Sequence, residues 1–349
     1  STAVTRFLIV RLGALGDVVH AIPVAAALRR AHPEARIDWL VSAKHREILD
    51  FVPVIDRRLV INDRGGSSGG GSLLHAIREL RSNRYDVAID LQGLIKSALL
   101  SRASGAPRVI GFSSSYARER LARVFYTETH DPGRGGLYNP AETRHVVEMN
   151  LGLLERLGVT PGRPEFPIDD VDSNVARWAL AHTGGAYALL NPGAAWPNKR
   201  WPPDRFAALA AELRNRRGLM SVILWGPGEE DLAKATAAAA DGAAVASPKT
   251  TLADVIALAR GAAVMVSGDT GPTHMASAVG TPIVGLYGPT RPSRNGPLSP
   301  DDGIVTRDAI CQCHHLRRCR MSRMCLLDIE VAEVVDAVER RLSAGRPRV

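Results

Sequence analysis

Residues 264–274 read Val264-Met265-Val266-Ser267-Gly268-Asp269-Thr270-Gly271-Pro272-Thr273-His274, an apolar run that breaks into small residues and then meets a proline where a helix would begin. A short apolar run suits a strand buried on both faces, and proline belongs in a first helical turn, where its missing N–H costs nothing. The stretch is the strand–loop–helix corner of a parallel α/β sheet. A second corner opens the chain, where Phe7-Leu8-Ile9-Val10-Arg11 runs into Leu12-Gly13-Ala14-Leu15-Gly16-Asp17-Val18-Val19-His20. Working outward from it, strands are predicted at 7–11, 36–41, 58–61 and 86–91, with helices at 17–30, 45–51, 73–81, 94–104 and 142–157. Residues 158–164, Gly158-Val159-Thr160-Pro161-Gly162-Arg163-Pro164, read as a linker. Beyond it the rhythm restarts, with strands at 187–190, 220–225, 264–267 and 282–287 and helices at 204–217, 229–240, 252–259 and 272–279. The expected fold is α/β: two Rossmann-like doubly wound domains, 1–160 and 166–328, facing a central cleft, with a last helix over about 330–349 packing back on the first domain.

Composition agrees with that reading. The chain has 349 residues, beyond the roughly 250–300 at which a single core stops growing. No apolar run approaches the roughly 20 residues that cross a bilayer, which argues against an integral membrane protein. The opening residues lack the basic flank, apolar stretch and small-residue cleavage site of a signal peptide, so the expected location is the cytoplasm. The net charge of +8 is unevenly spread: residues 1–150 carry 21 Lys+Arg against 15 Asp+Glu, and residues 166–349 carry 21 against 19. The surplus is either a solvated basic face or the mark of an anionic partner for the first half, whether phosphate, carboxylate or lipid headgroup. Residues 65–72, Gly65-Gly66-Ser67-Ser68-Gly69-Gly70-Gly71-Ser72, read as a flexible loop.

Ligands of open α/β sheets sit at the carboxyl ends of strands, so the loops there carry the candidate chemistry. In the first, Gly13 and Gly16 permit a tight turn, but neither G-x-G-x-x-G nor a Walker spacing is present. Asp17 then opens the following helix, as an N-cap or as a group facing the cleft. In 264–274, free N–H groups at Thr270 and Gly271 and the helix dipole make a site for a diphosphate, the alternative being a capped helix with a solvated His274. The loop Asn191-Pro192-Gly193-Ala194-Ala195-Trp196-Pro197-Asn198-Lys199-Arg200-Trp201-Pro202 projects Lys199, a point charge suited to a departing phosphate. In Trp225-Gly226-Pro227-Gly228-Glu229-Glu230 a carboxylate can accept from ribose hydroxyls, or simply serve the helix start.

These loops, together with Asp90-Leu91-Gln92-Gly93-Leu94-Ile95-Lys96-Ser97 and Ala117-Arg118-Glu119-Arg120-Leu121-Ala122-Arg123-Val124-Phe125-Tyr126, resemble the glycosyltransferases of family 9, most closely the ADP-heptose:lipopolysaccharide heptosyltransferases, over nearly the whole chain. The Gln92 and Arg118 stretches are similar to enzymes adding the first heptose to the Kdo–lipid A core, whereas Pro192-Gly193-Ala194-Ala195 is similar to those adding the second. The resemblance implies a GT-B fold, ADP-L-glycero-D-manno-heptose as donor bound by the C-terminal domain, and an anionic Kdo–lipid A type acceptor bound by the N-terminal one. It further implies an inverting reaction without a metal or other cofactor, a peripheral position on the cytoplasmic face of the inner membrane, and no nucleic-acid partner. Carried over residue by residue, Asp17 is the general base and Lys199 the partner of the leaving diphosphate. Thr270, Gly271 and His274 hold its oxygens, Glu229 (or Glu230) the ribose, Thr250 the adenine, and Asp269 the donor hydroxyls or the loop itself. Arg11, Arg118, Arg120 and Arg144 are the acceptor-side cations, and the Gly/Ser loop lies where family members carry an acceptor-contacting segment. Other donors or acceptors, a nucleotide-sugar epimerase and a binding protein with a degenerate site remain alternatives.

All four cysteines, Cys311, Cys313, Cys319 and Cys325, fall within fifteen residues, at spacings that lack the paired Cys-x-x-Cys of zinc ribbons. They are read as metal candidates on the one hand, and as reduced thiols or a local disulfide on the other.

Overall fold

The computed structural model describes residues 4–62, 69–133, 135–314 and 316–345. The chain divides after Asp169 into two compact units, a few residues beyond the stretch read as a linker.

The first unit holds a six-stranded sheet of β1 (Arg6–Val10), β2 (Arg36–Ser42), β3 (Arg57–Ile61), β4 (Val87–Asp90), β5 (Arg108–Phe112) and β6 (Glu128–His130). The order is β3-β2-β1-β4-β5-β6, with every neighbouring pair parallel. The second unit repeats that order with β7 (Tyr187–Asn191), β8 (Met220–Ile223), β9 (Ala244–Ala246), β10 (Val264–Gly268), β11 (Ile283–Tyr287) and β12 (Gly303–Thr306), arranged β12-β11-β10-β7-β8-β9. Each sheet thus grows outward from its first strand, then returns to add its fourth on the other side. The central strands explain why: Leu8, Ile9 and Val10 of β1 and Val264, Met265 and Val266 of β10 are fully buried, as parallel strands covered on both faces must be. Each such side chain stabilises the fold by about 1.5–3 kcal/mol.

Helices of the first unit are α1 (Leu15–Val19), α2 (Ile22–Ala31), α3 (Gly69–Ser82), α4 (Ile95–Ala103) and α5 (Val146–Gly152). Those of the second are α6 (Asn174–Thr183), α7 (Pro203–Arg217), α8 (Glu230–Ala239), α9 (Leu252–Gly261), α10 (Gly271–Ala278), α11 (Pro292–Asn295) and α12 (Val331–Ser343). The helix expected over 17–30 is two, because Pro23, in the first turn of α2, has no N–H to continue the ladder from α1. The helix expected at 45–51 is a 3₁₀ helix over Ala43–Phe51, and the one at 142–157 is α5 followed by a 3₁₀ segment, Leu153–Leu157. Of the loop expected at 65–72, residues 65–68 lie outside the described residues, and from Gly69 the backbone is already helical.

The last helix, α12, belongs to the second unit and lies against α7, β10, β11 and β12. Its Val334, Val335, Ala337 and Val338 complete that unit's apolar core with Val305, Leu326 and Ile329. Arg341 fixes the register of the helix. Its buried guanidinium meets the Asp302 carboxylate at 2.7 Å, and the same carboxylate accepts the Ile283 N–H at the start of β11. Burial pushes the Asp302 carboxyl up against the pull of Arg341. Arg341→Ala, which strands a buried carboxylate, is expected to cost about 3–5 kcal/mol in thermal or urea unfolding, and adding Asp302→Asn should recover part of it.

Candidate functional site

In both sheets the order reverses beside the first strand, between β1 and β4 and between β7 and β10. Loops leaving two such strands turn to opposite faces, which opens a crevice at their carboxyl ends. Arg11 and Asp17 follow β1 at the first of those points, and Lys199, Asp269, Thr270, Gly271 and His274 follow β7 and β10 at the second.

In the first unit the β1 loop carries Arg11 and Asp17, and the β4 loop braces it. Gln92 of the β4 loop accepts the N–H of Leu12 at 3.0 Å and that of Gly13 at 3.4 Å through its side-chain oxygen. Gln92 is itself set by Asp90, the fully buried end of β4, whose Oδ1 accepts the Gln92 N–H at 2.8 Å while Oδ2 accepts from Ser97 and Tyr126. Burial raises the Asp90 carboxyl above its ordinary range, against those three donors and the Gly93 N–H. Gly93 adopts φ +69°, and a side chain there would press on the Arg118 backbone N at 3.1 Å. The Glu119 N–H donates to the Gly93 carbonyl at 2.9 Å. A glycine is therefore required for the segment holding Arg118 to close on this loop.

Asp17 is not the N-cap of α1 but its third residue, and its Oδ2 reaches back to accept the Ala14 N–H at 3.2 Å. The same oxygen meets Arg11 Nη2 at 2.8 Å and Arg118 Nη2 at 3.0 Å. Burial alone would raise the Asp17 carboxyl, yet Arg11 and then Arg118 outweigh it and hold the group well below the usual carboxylate range. The two cations differ. Arg11 is 3% exposed and also donates to the Leu91 carbonyl, while Arg118 is 34% exposed. The other two acceptor-side arginines lie elsewhere: Arg120 is exposed at the start of a 3₁₀ helix, and the charge of Arg144, which precedes α5, bears on His130.

In the second unit Asp269 joins two loops. Its Oδ2 meets Lys199 Nζ at 2.6 Å and its Oδ1 meets His274 Nε2 at 2.7 Å. Burial would raise this carboxyl too, but His274 and Lys199 hold it well below the ordinary range. Lys199 also stands over the Trp196 ring at 4.3 Å, a cation–π contact that fixes its stem. Thr270 caps α10 by accepting the Thr273 N–H, and Asn191 at the end of β7 donates to Ser267 and Thr270, tying the β7 and β10 loops together. Glu229 Oε2 accepts the Gly226 N–H at 3.0 Å and Oε1 faces Arg200 at 3.4 Å, whereas Glu230 is spent on an exposed pair with Lys234. A side chain at Gly193 would strike the Glu229 carboxylate, so that glycine lets the β7 loop and Glu229 meet. Thr250 is half-buried in the loop between β9 and α9.

Cys311, Cys313 and Cys325 are buried together with Cys319 against them, and all four are free thiols. Cys313 and Cys319 bring their sulfurs to 3.5 Å. Among the described residues no group of three or more His, Cys, Asp or Glu side chains is arranged to hold a metal ion.

Two parallel sheets of identical order, each presenting charged loops at its reversal point, define a two-domain α/β fold of the GT-B kind. The profile of glycosyltransferase family 9 (heptosyltransferase) matches residues 73–324. The chain is 32% identical over 298 residues to lipopolysaccharide heptosyltransferase 1 of Pseudomonas aeruginosa, covering 83% of this chain and 81% of that protein. Its structure is similar to the Escherichia coli heptosyltransferase WaaC with ADP, with a TM-score of 0.76 at 25% identity, over 97% of this chain and 100% of the other. It is likewise similar to WaaC with ADP-2-deoxy-2-fluoro heptose, with a TM-score of 0.70 at 27% identity, over 86% and 93%. This chain belongs to glycosyltransferase family 9 and is a glycosyltransferase.

The lowered Asp17 and Asp269 carboxyls also fix the sign of a pH effect. A carboxyl held lower in the folded than in the unfolded state stabilises the fold above the unfolded value, and that stabilisation is lost as pH falls from about 5 downward. The melting temperature of the wild type is expected to fall more steeply than that of Asp269→Asn between about pH 5 and about pH 3.

Proposed function

We propose that this chain transfers a heptose from ADP-L-glycero-D-manno-heptose to a hydroxyl of an anionic Kdo–lipid A type acceptor, with inversion and without a metal or other cofactor. The observation that carries the donor half is the Lys199–Asp269–His274 cluster at the head of α10. Lys199 supplies a fixed cation for the charge that develops on the departing diphosphate, and the Thr270 and Gly271 N–H groups at the start of α10 supply uncharged donors. Asp269 holds Lys199 and His274 at set positions, so neither has to be ordered as the bond breaks. Glu229, oriented by Gly226 and Arg200, suits the ribose hydroxyls, and Thr250 the adenine.

In the first unit Asp17 takes the proton of the acceptor hydroxyl as its oxygen attacks the anomeric carbon. The carbon–oxygen bond to the diphosphate breaks with its electron pair, ADP leaves, and the configuration inverts. Proton removal of this kind contributes on the order of 10²–10⁴ in rate. Arg11 and Arg118 supply positive charge beside Asp17, and with Arg120, Arg144 and the basic surplus of residues 1–150 they favour an anionic acceptor. Among the described residues no helix is long and apolar enough to cross a membrane, and a peripheral position on the cytoplasmic face of the inner membrane suits such an acceptor.

Two measurements test this reading. Asp17→Asn is expected to lower transfer by at least about 10², with ADP-sugar affinity kept. ADP-sugars should raise the melting temperature of the wild type and UDP-sugars should not; stabilisation by UDP-sugars alone would overturn the choice of donor.

A further inference from the structure

The Asp17 carboxylate is surrounded in a way that opposes the role given to it. A general base works best when its affinity for protons lies near the working pH. Here Arg11, Arg118 and the Ala14 N–H all converge on Oδ2, and the adjacent His20 adds to the field that favours the ionised form. Held so, the carboxylate is a poor proton acceptor. Something must weaken its hold on charge when acceptor is present.

The two arginines are built differently for that purpose. Arg11 is buried at the end of β1, bonded to the Leu91 carbonyl, and its own carbonyl accepts the Trp39 indole N–H at 3.1 Å. It cannot leave. Arg118 sits on the segment between β5 and the Arg120–Phe125 turn, its backbone seated on Gly93 and its side chain one-third exposed. A guanidinium pairs as well with a carboxylate or phosphate of a ligand as with Asp17, and its long stem can swing between them without moving the backbone.

Resting on the reading of Asp17 as the base, we propose that Arg118 is an acceptor-operated latch: in the free enzyme it holds Asp17 ionised and weakly basic, and an anionic group of the bound acceptor draws it away. Arg11 remains as the fixed counter-ion that keeps Asp17 oriented. The base is thus strengthened only when a correctly charged acceptor is seated, which couples recognition of the acceptor to its deprotonation. Arg118 is in this sense a positioning residue for Asp17 as well as a contact for the acceptor.

The experiment crosses the enzyme with the charge of the acceptor. kcat and KM are measured for wild type, Arg118→Gln and Arg118→Lys with three acceptors: the native Kdo–lipid A type, its carboxylate methyl ester, and a form stripped of phosphates but keeping its carboxylates. The wild type is expected to lose about tenfold or more in kcat on whichever form lacks the anion that Arg118 reads. Arg118→Gln should show a higher acceptor KM on the native form. On the form that slows the wild type, its kcat should exceed the wild-type value, because no latch remains to be opened. Arg118→Lys, which keeps the charge, should retain the wild-type dependence on acceptor charge. Equal losses of kcat for Arg118→Gln on all three acceptors, in a protein with an unchanged melting temperature and ADP affinity, would overturn the latch. Full transfer by Asp17→Asn would instead overturn the assignment of the base, and the latch with it.

Discussion

The reversal of strand order beside β1 and β7 is the constraint on which the rest depends. Because β2 and β4 flank β1 on opposite sides, the connections that follow β1 and β4 leave toward opposite faces, and their loops meet without covering each other. Asp17 and Gln92 belong to that pair in the first unit, Lys199 and Asp269 to the corresponding pair, after β7 and β10, in the second. These four residues owe their places to topology before chemistry. The sheet cores then make the positions rigid. Val10 and Val266, fully buried just short of the loops, leave the strand ends nowhere to move.

Both reversal points use a buried polar bridge to hold their two loops in register. Asp90 and Gln92 do this in the first unit, Asn191 with Ser267 and Thr270 in the second. Each bridge sets the backbone of a loop that carries candidate residues. A bridge made of buried, fully partnered groups resists deformation better than an apolar contact of the same area, because breaking it leaves a polar atom without solvent. Glycine serves the same end where loops must touch: Gly93 under Arg118 and Gly193 against Glu229 mark places where backbone or carboxylate comes closer than a side chain would allow.

The central strands and most helices were legible because parallel strands buried on both faces read as plain apolar runs, and because Pro272, Gly16 and Asp17 punctuate their loops. Three of the four edge strands and β5 were not. The strands β6, β9 and β12 are three or four residues long and only partly buried, so they carry neither a run nor an alternation, and β5 (Arg108–Phe112) is not among the predicted strands. The site was legible in its residue types and not in its pairings. Sequence spacing separates Arg118 from Asp17 by about a hundred positions and Lys199 from Asp269 by seventy, and only the strand order brings them together. Asp90 and Gln92 stood in a quoted stretch without a role, since nothing in a linear reading shows that β4 is the neighbour of β1. The choice between Glu229 and Glu230 likewise needed coordinates, because one position on a helix start decides whether a carboxylate turns to the loops or to Lys234.

A common logic links the two loci. Each keeps its charges partnered: Asp17 with Arg11 and Arg118, Asp269 with Lys199 and His274. An unpaired charge in a partly buried crevice would be expensive to hold and would bind stray ions. Around Asp17 two cations face one anion, leaving an excess positive charge that an anionic acceptor can satisfy. Around Asp269 a lysine and a histidine share one carboxylate at the head of α10, whose free N–H groups carry only partial charge.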